Sequence, residues 1–179
     1  TIGTRFELGM SWLTPTLSTL EKTQAERLLH LFFGNTPALL DGLRRDHLDC
    51  LITSARVTTA RLSYARLHEE RYVFVGNKKV IARHPLTRPE DAAKHNLLEL
   101  NSSLPLFRYF LDAHAGAKSW AFEQTQYLGT IAPVRARVLE GAGVAVLPEY
   151  FVRRDIKQGR LVKLMPKVKL PSDWFRLIW

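Results

Sequence analysis

Five short polar turns carry the side chains best placed to do chemistry: Thr4 to Glu7, Asn35-Thr36, Thr53-Ser54-Ala55-Arg56, Asn101 to Ser103 and Gly129-Thr130. Each stands where an apolar strand pattern gives way to a helical one, so polar side chains meet the free backbone N–H groups of a helix start. The last turn is the clearest. Leu128-Gly129-Thr130 leads into the helical run Ile131 to Glu140, then Gly141-Ala142-Gly143, then the apolar strand Val144 to Leu147 closed by Pro148. N–H groups aimed at the residues before a helix hold a small anion without a metal. In open α/β sheets ligands collect outside the carboxyl ends of the strands, and a cleft between two lobes would bring these turns together.

Other chemistry is absent from the pattern. Ser11 lies in Gly9-Met10-Ser11-Trp12-Leu13, without the second glycine of a nucleophile elbow, so a hydrolase is not expected. The six histidines, His30, His47, His68, His84, His95 and His114, show no metal-ligand spacing, and no metal is assigned. Gly141-Ala142-Gly143 follows a helix and precedes a strand, the reverse of a dinucleotide cradle, and reads as a C-cap and tight turn. Glu69 and Glu70 are adjacent and so point to opposite sides of a strand, which with Glu7 makes no acid–base pair. No catalytic residue and no cofactor are expected.

The elements that must position the turns follow from apolar spacing. Met10, Leu13, Leu17 and Leu20 predict a helix whose early turn tolerates Pro15; Leu28 to Phe33 reads as a strand. Gly34-Asn35-Thr36-Pro37 supplies a turn, an N-cap and a proline at the first helical position, with Leu39, Leu40 and Leu43 on the apolar side of the next helix. Leu48 to Thr53 is again a strand. Alternating strands and helices argue for a parallel sheet with crossovers, the α/β class. The pattern then restarts: Tyr72 to Gly76 and Lys79 to Ala82 extended, a short helix over Pro89 to His95, a strand over Asn96 to Leu100. Ser102 or Ser103 is expected to cap a helix bearing Leu106, Phe107, Phe110 and Leu111, followed by a strand around Ala121 to Leu128. Two lobes result, joined by short segments near Leu67 to Glu70 and Lys169 to Ser172, with the last strand, Trp174 to Trp179, returning to the first lobe.

The 179 residues are 46% hydrophobic, enough for a buried core. Cys50 lies in the apolar run Leu48 to Ile52 and reads as core; with one cysteine no disulfide framework exists, and a reducing, cytoplasmic setting is expected. No apolar run approaches the roughly 20 residues of a membrane span, and no secretory segment opens the chain, which reads as a piece of something longer. The net charge of +9 and pI near 10.0 come from scattered pairs, Arg44-Arg45, Lys78-Lys79 and Arg153-Arg154, rather than a nucleic-acid stripe.

In order and spacing, Ile2-Gly3-Thr4 with Pro15 downstream, Gly34-Asn35-Thr36, Arg44-Arg45-Asp46-His47-Leu48-Asp49-Cys50-Leu51-Ile52, His84-Pro85-Leu86 and Glu140 to Pro148 resemble the effector-binding domain of LysR-type transcriptional regulators. The resemblance spans almost the whole chain. It implies the type 2 periplasmic-binding-protein fold: two Rossmann-like lobes joined by two crossing segments, residues 1–68 with 170–179 and residues 69–169, and a ligand cleft between them. It further implies a small-molecule effector contacted by Thr4, Arg5, Phe6 and Glu7, by Thr36, Thr53 and Ser54, by Pro105, Leu106 and Phe107, and by Thr130 and Ile131. A homodimer is implied through the first helix (Met10 to Glu21), the strand Leu28 to Phe33 and their counterparts in the partner's second lobe, with dimer or tetramer left open for the full-length protein. DNA would be reached only through a helix-turn-helix that this chain lacks, and no membrane partner is expected.

The first turn departs from the family, reading Thr-Arg-Phe-Glu-Leu where small hydroxyl residues are usual. Its Arg5 suits an effector carboxylate, because a guanidinium fork matches that geometry. Equally, Arg5 and Glu7 can pair with each other on one strand face. Thr36 and Thr130 have a structural role as helix caps beside any ligand contact. Phe107 and Trp12 are candidates to wall an aromatic ligand, with core packing the expectation for Trp12. The expected activity is effector sensing without a reaction; the rivals are a solute-binding protein of a transport system with the same fold and, remotely, a small transferase or lyase.

Overall fold

The computed structural model describes residues 1–23, 28–55, 57, 61–114 and 120–179. The chain separates into two α/β units, Thr1–Glu70 with Asp173–Trp179 and Arg71–Ser172.

The first unit holds β1 (Ile2–Thr4), β2 (Leu31–Phe33), β3 (Cys50–Thr53), β4 (Tyr64–Glu70) and, from the far end of the chain, β10 (Asp173–Ile178). Their order is β2-β1-β3-β10-β4. The first three strands are parallel, while β10 runs antiparallel to β3 and β4, so the sheet is mixed rather than purely parallel. Leu67 to Glu70, expected as a linking segment, is the second half of β4. Leu39, Leu43, Leu48, Leu51 and Ile178 form the core against the sheet.

After β1 the chain enters a helical stretch, α1 (Phe6–Leu8), a wide turn (Gly9–Leu13), a tight turn (Thr14–Thr16) and α2 (Leu17–Thr23). Pro15 explains the change of pitch. It lacks an N–H and its ring clashes with the preceding turn, so the ladder widens until Thr14 N–H reaches Gly9 O, then tightens as Leu17 N–H takes Thr14 O. Leu13 is buried, but Met10 and Leu20 from the same predicted stripe stay largely exposed. Trp12 is half-buried, its ring packed edge-on to Phe175 at 5.0 Å, and it lies outside the buried core clusters. The strand predicted over Leu28 to Phe33 pairs only at Leu31–Phe33. In α3 (Thr36–Arg44) the cap is Asn35, whose Oδ1 accepts the Ala38 N–H at 2.9 Å. Cys50 is half-buried at the start of β3 rather than in the core, and burial pushes its thiol pKa up.

The second unit holds β5 (Tyr72–Asn77), β6 (Asn96–Glu99), β7 (Gln124–Tyr127), β8 (Val144–Pro148) and β9 (Leu161–Lys163) in the order β7-β6-β8-β5-β9. Strands β6, β7 and β8 are parallel and β5 is antiparallel to β8 and β9. Lys79 to Ala82, expected as extended, is inside α4 (Lys78–Arg83), because the Asn77 side chain takes the N–H groups of Lys79 and Val80 and starts a helix directly after β5. A tight helical segment follows at Pro89–Lys94. The next helix, α5 (Arg108–Ala113), begins later than predicted, and neither Ser102 nor Ser103 caps it. Then come α6 (Ile131–Glu140), over the predicted run, and α7 (Glu149–Lys157). Gly141 ends α6 in the left-handed region at φ 84°, the conformation that a helix stop of this kind asks of glycine. Phe74, Phe110, Val134, Val138 and Val144 to Leu147 lie in a continuous buried core.

Candidate functional site

In the first unit the parallel strands β1, β2 and β3 end on one edge of the sheet, and the order β2-β1-β3 makes the neighbouring ends of β1 and β3 a topological switch point, where open α/β sheets hold ligands. The backbone fixes this edge: Gly34 N–H donates to Thr4 O at 3.1 Å, tying the end of β2 to that of β1. Thr4 and Thr53 are fully buried strand ends, and Thr53 Oγ1 accepts the Ala55 N–H at 3.1 Å to close its turn.

Arg5 and Ser54 bridge the switch point. Arg5 Nη2 donates to Ser54 Oγ at 2.7 Å, and Arg5 Nε is buried without a hydrogen-bond partner. A second guanidinium reaches the same turn, because Arg176 of β10 donates Nη1 to Ser54 O at 3.1 Å and to Trp174 O at 3.0 Å. Neither arginine enters an ion pair among the described residues. Arg5 and Glu7 do not share a strand face: the chain turns helical at Phe6, which puts Glu7 in the first turn of α1. Phe6 is 60% exposed, its ring tilted against Phe33 at 5.5 Å. Thr36 is half-buried at the first position of α3, where Asn35 and not Thr36 serves as the cap. Arg56, at the end of the third turn, lies outside the described residues.

In the second unit the matching edge is built by Glu99, the last residue of β6. Its carboxylate is fully buried and accepts three backbone N–H groups, Leu100 at 2.6 Å, Leu106 at 3.0 Å and Phe107 at 2.7 Å. Burial pushes its pKa up, and the three N–H bonds act against that. This capture holds the turn before α5 out of the helix and supports Leu104 at φ 51°, an uncommon conformation for a branched residue. It also delays the start of α5. Leu106 and Phe107 turn inward, the Phe107 ring lying edge-on to Phe74 at 5.8 Å and Phe122 at 5.2 Å, so Phe107 is core rather than an aromatic wall. Pro105 is half-buried, and Asn101, Ser102 and Ser103 are what this turn exposes.

The turn after β7 is tied to the same strand, Leu128 N–H donating to Glu99 O at 2.8 Å and Gly129 N–H to Leu100 O at 2.9 Å. Gly129 has φ 78° and open space where a Cβ would stand. Thr130 is exposed at the N-cap of α6, and its side chain makes no capping bond. The helix start is therefore left uncapped by its own residue, with Ile131 half-buried behind it. Sequence reasoning missed Glu99 and Arg176. A carboxylate closing the apolar run Leu97-Leu98 was a signal for the first; nothing local marks the second.

Among the described residues no cluster of His, Cys, Asp and Glu has the makings of a metal site, and no helix is long and apolar enough to cross a membrane.

A sequence model described as the LysR substrate binding domain matches residues 1–179. Among curated proteins the chain is similar to the HTH-type transcriptional regulator PtxR of Pseudomonas aeruginosa, 39% identical over 30% of this chain and 21% of that protein. It is also similar to the HTH-type transcriptional regulator AbaB of Streptomyces antibioticus, 29% identical over 84% of this chain and 51% of that protein. The chain thus spans about half or less of the length of these regulators. Among solved structures it shares its fold with the regulatory domain of CrgA, a LysR-type transcriptional regulator from Neisseria meningitidis, at a TM-score of 0.78 and 19% identity, over 99% of this chain and 86% of that one. The family match favours the regulator over the transport-partner reading of the same fold. By this match over its whole length, the chain belongs to the LysR substrate binding domain family.

Proposed function

We propose that this domain senses a small anionic metabolite, a carboxylate as the leading class, and performs no reaction. The observation that carries the reading is the meeting of Arg5 and Arg176 at Ser54: two guanidinium groups converge on one switch-point turn without an acidic partner, and one buried N–H of Arg5 is unused. A carboxylate accepts such donors in a charge-assisted fork. The uncapped start of α6 at Gly129-Thr130 offers N–H groups of the same polarity, and the family resemblance implies that turns of both units contact the effector.

In the whole regulator, a helix-turn-helix outside this chain reads DNA in the bacterial cytoplasm, and the effector acts through its unequal affinity for two arrangements of the protein, a coupling of about 1–3 kcal/mol. The resemblance implies a homodimer. The first unit offers apolar surface for the pairing in exposed Met10, Leu20 and Phe32, the last on the edge strand β2. A two-fold pairing makes that interface isologous.

Thermal shift with a panel of small organic acids tests the reading. An acid present at about 100 times its Kd adds roughly 2.7 kcal/mol of stability to wild type. The same acid is expected to leave Arg5→Ala unshifted at that concentration. An equal shift in both proteins removes Arg5 as the anchor, and a panel without any stabilising acid overturns the carboxylate reading.

A further inference from the structure

At the amino-terminal edge of the parallel strands in the second unit, opposite the edge that carries Glu99, a recess of about 670 Å³ opens beside the start of α4, the end of α6 and the turn after α7. Its size is within the roughly 300–1,000 Å³ of small-molecule sites. Two kinds of surface line it. Lys78, Lys79 and Arg160 supply positive charge, while Ala82 and Leu139 supply apolar contact.

The frame is fixed by hydrogen bonds that use up its other polar groups. Lys78 N–H donates to Arg160 O at 3.0 Å, joining the end of β5 to the start of β9. Asn77 Nδ2 donates to Leu139 O at 2.6 Å, which occupies one of the carbonyls that α6 would otherwise point outward with a partial negative charge. The nearby acid Glu140 is held by Arg137 at 2.6 Å. Arg160 is anchored on the fully buried Asp155, which Arg135 also grips through Nε at 2.6 Å, so two arginines share one carboxylate and leave a positive charge over. Lys78 and Lys79 are exposed and enter no ion pair among the described residues. The Lys78 ammonium stands beside the turn at Gly159, 3.8 Å from where a Cβ would be.

We propose that this recess is a second ligand site, which takes a small molecule with an anionic head, phosphate or carboxylate, on an apolar ring or chain. The ammonium groups and the Arg160 guanidinium receive the head, and Ala82, Leu139 and the lysine stems pack on the body. The site lies at the opposite end of the strands from Thr130 and involves neither Arg5 nor Arg176, so it stands independently of the effector reading.

The test is titration of the 179-residue protein with 1-naphthyl phosphate and, separately, inorganic phosphate, followed by calorimetry and by amide shifts. Naphthyl phosphate is expected to bind the more tightly, with shifts confined to residues around Lys78, Leu139 and Arg160. The double variant Lys78→Ala/Lys79→Ala, which changes only exposed side chains, is expected to weaken it roughly tenfold or more. Ala82→Trp, which fills the apolar side, removes the advantage of naphthyl phosphate over phosphate. Arg5→Ala binds as wild type does. Undiminished binding by the double variant, loss of binding in Arg5→Ala, or no binding by wild type at millimolar probe overturns the proposal. Displacement of the probe by a double-stranded oligonucleotide also overturns it, by assigning the lysines to a polyanion surface.

Discussion

Arg5 donates to the hydroxyl of Ser54 at 2.7 Å, a bond that joins the carboxyl ends of β1 and β3 at the point where the chain leaves the two strands in opposite directions. It fixes the direction of a guanidinium that has a buried N–H still to spend. Ser54→Ala removes the acceptor and leaves the arginine poorly held. We expect a loss of about 1.5–3 kcal/mol in urea unfolding, since one partner is charged, together with weaker stabilisation by any acid that stabilises wild type. A variant as stable as wild type and equally responsive to the acid would show that Ser54 does not position Arg5.

Glu99 is the structural anchor of the second unit's turn, because one buried carboxylate serves three N–H donors. Glu99→Gln keeps the shape but sets an NH₂ group against at least one of those donors. The expected cost is about 1–3 kcal/mol. Hydrogen exchange gives the site-specific check, with faster exchange at Leu100, or at Leu106 and Phe107, than in wild type.

Gly143 allows β6 and β8 to approach. A Cβ there would stand 2.5 Å from the carbonyl oxygen of Asn96 and 2.9 Å from Leu98, and backbone cannot swing aside as a side-chain tip can. Gly143→Ala is expected to cost about 3 kcal/mol, the upper end of ordinary overpacking, seen as a lowered melting temperature. An unchanged melting temperature would mean that the two strands separate at little cost.

His95 is buried beside β6 with Nε2 unpartnered. Burial lowers its pKa from the ordinary 6.5, more than the hydrogen bond with the His84 backbone raises it. Because the folded state resists the proton, the histidine's contribution is fully present above pH 6.5 and is lost as the pH falls through its lowered folded value. Urea midpoints measured between about pH 8 and pH 5 should therefore fall more for wild type than for His95→Gln. Parallel profiles for the two proteins would remove His95 as the cause.

Local chemistry was enough for the elements that carry their own punctuation. The run Ile131 to Glu140 with Gly141 behind it is the helix the sequence predicts, and a helix opens at Thr36-Pro37 as expected, though Asn35 rather than Thr36 caps it. Where a local signal met a competing long-range bond, it lost. Ser102 and Ser103 look like caps, yet Glu99 takes the N–H groups that would have opened a helix there. The candidate turns were likewise legible as polar breaks after apolar strands, but not which of their side chains face outward: Phe107 is in the core, while Thr130 is exposed with no capping bond of its own.

By itself the sequence determined the strand and helix alternation, the glycine and proline stops and the polar turns, because each depends on residues within a helical turn of one another. Tertiary structure alone decided that β10 lies between β3 and β4, and with it that Arg176 meets Ser54 across 122 positions of chain. It also decided that Lys78, Leu139 and Arg160 line one recess. Pairing at that separation is chosen by which apolar faces can be buried together, and no pattern read along the chain contains that choice.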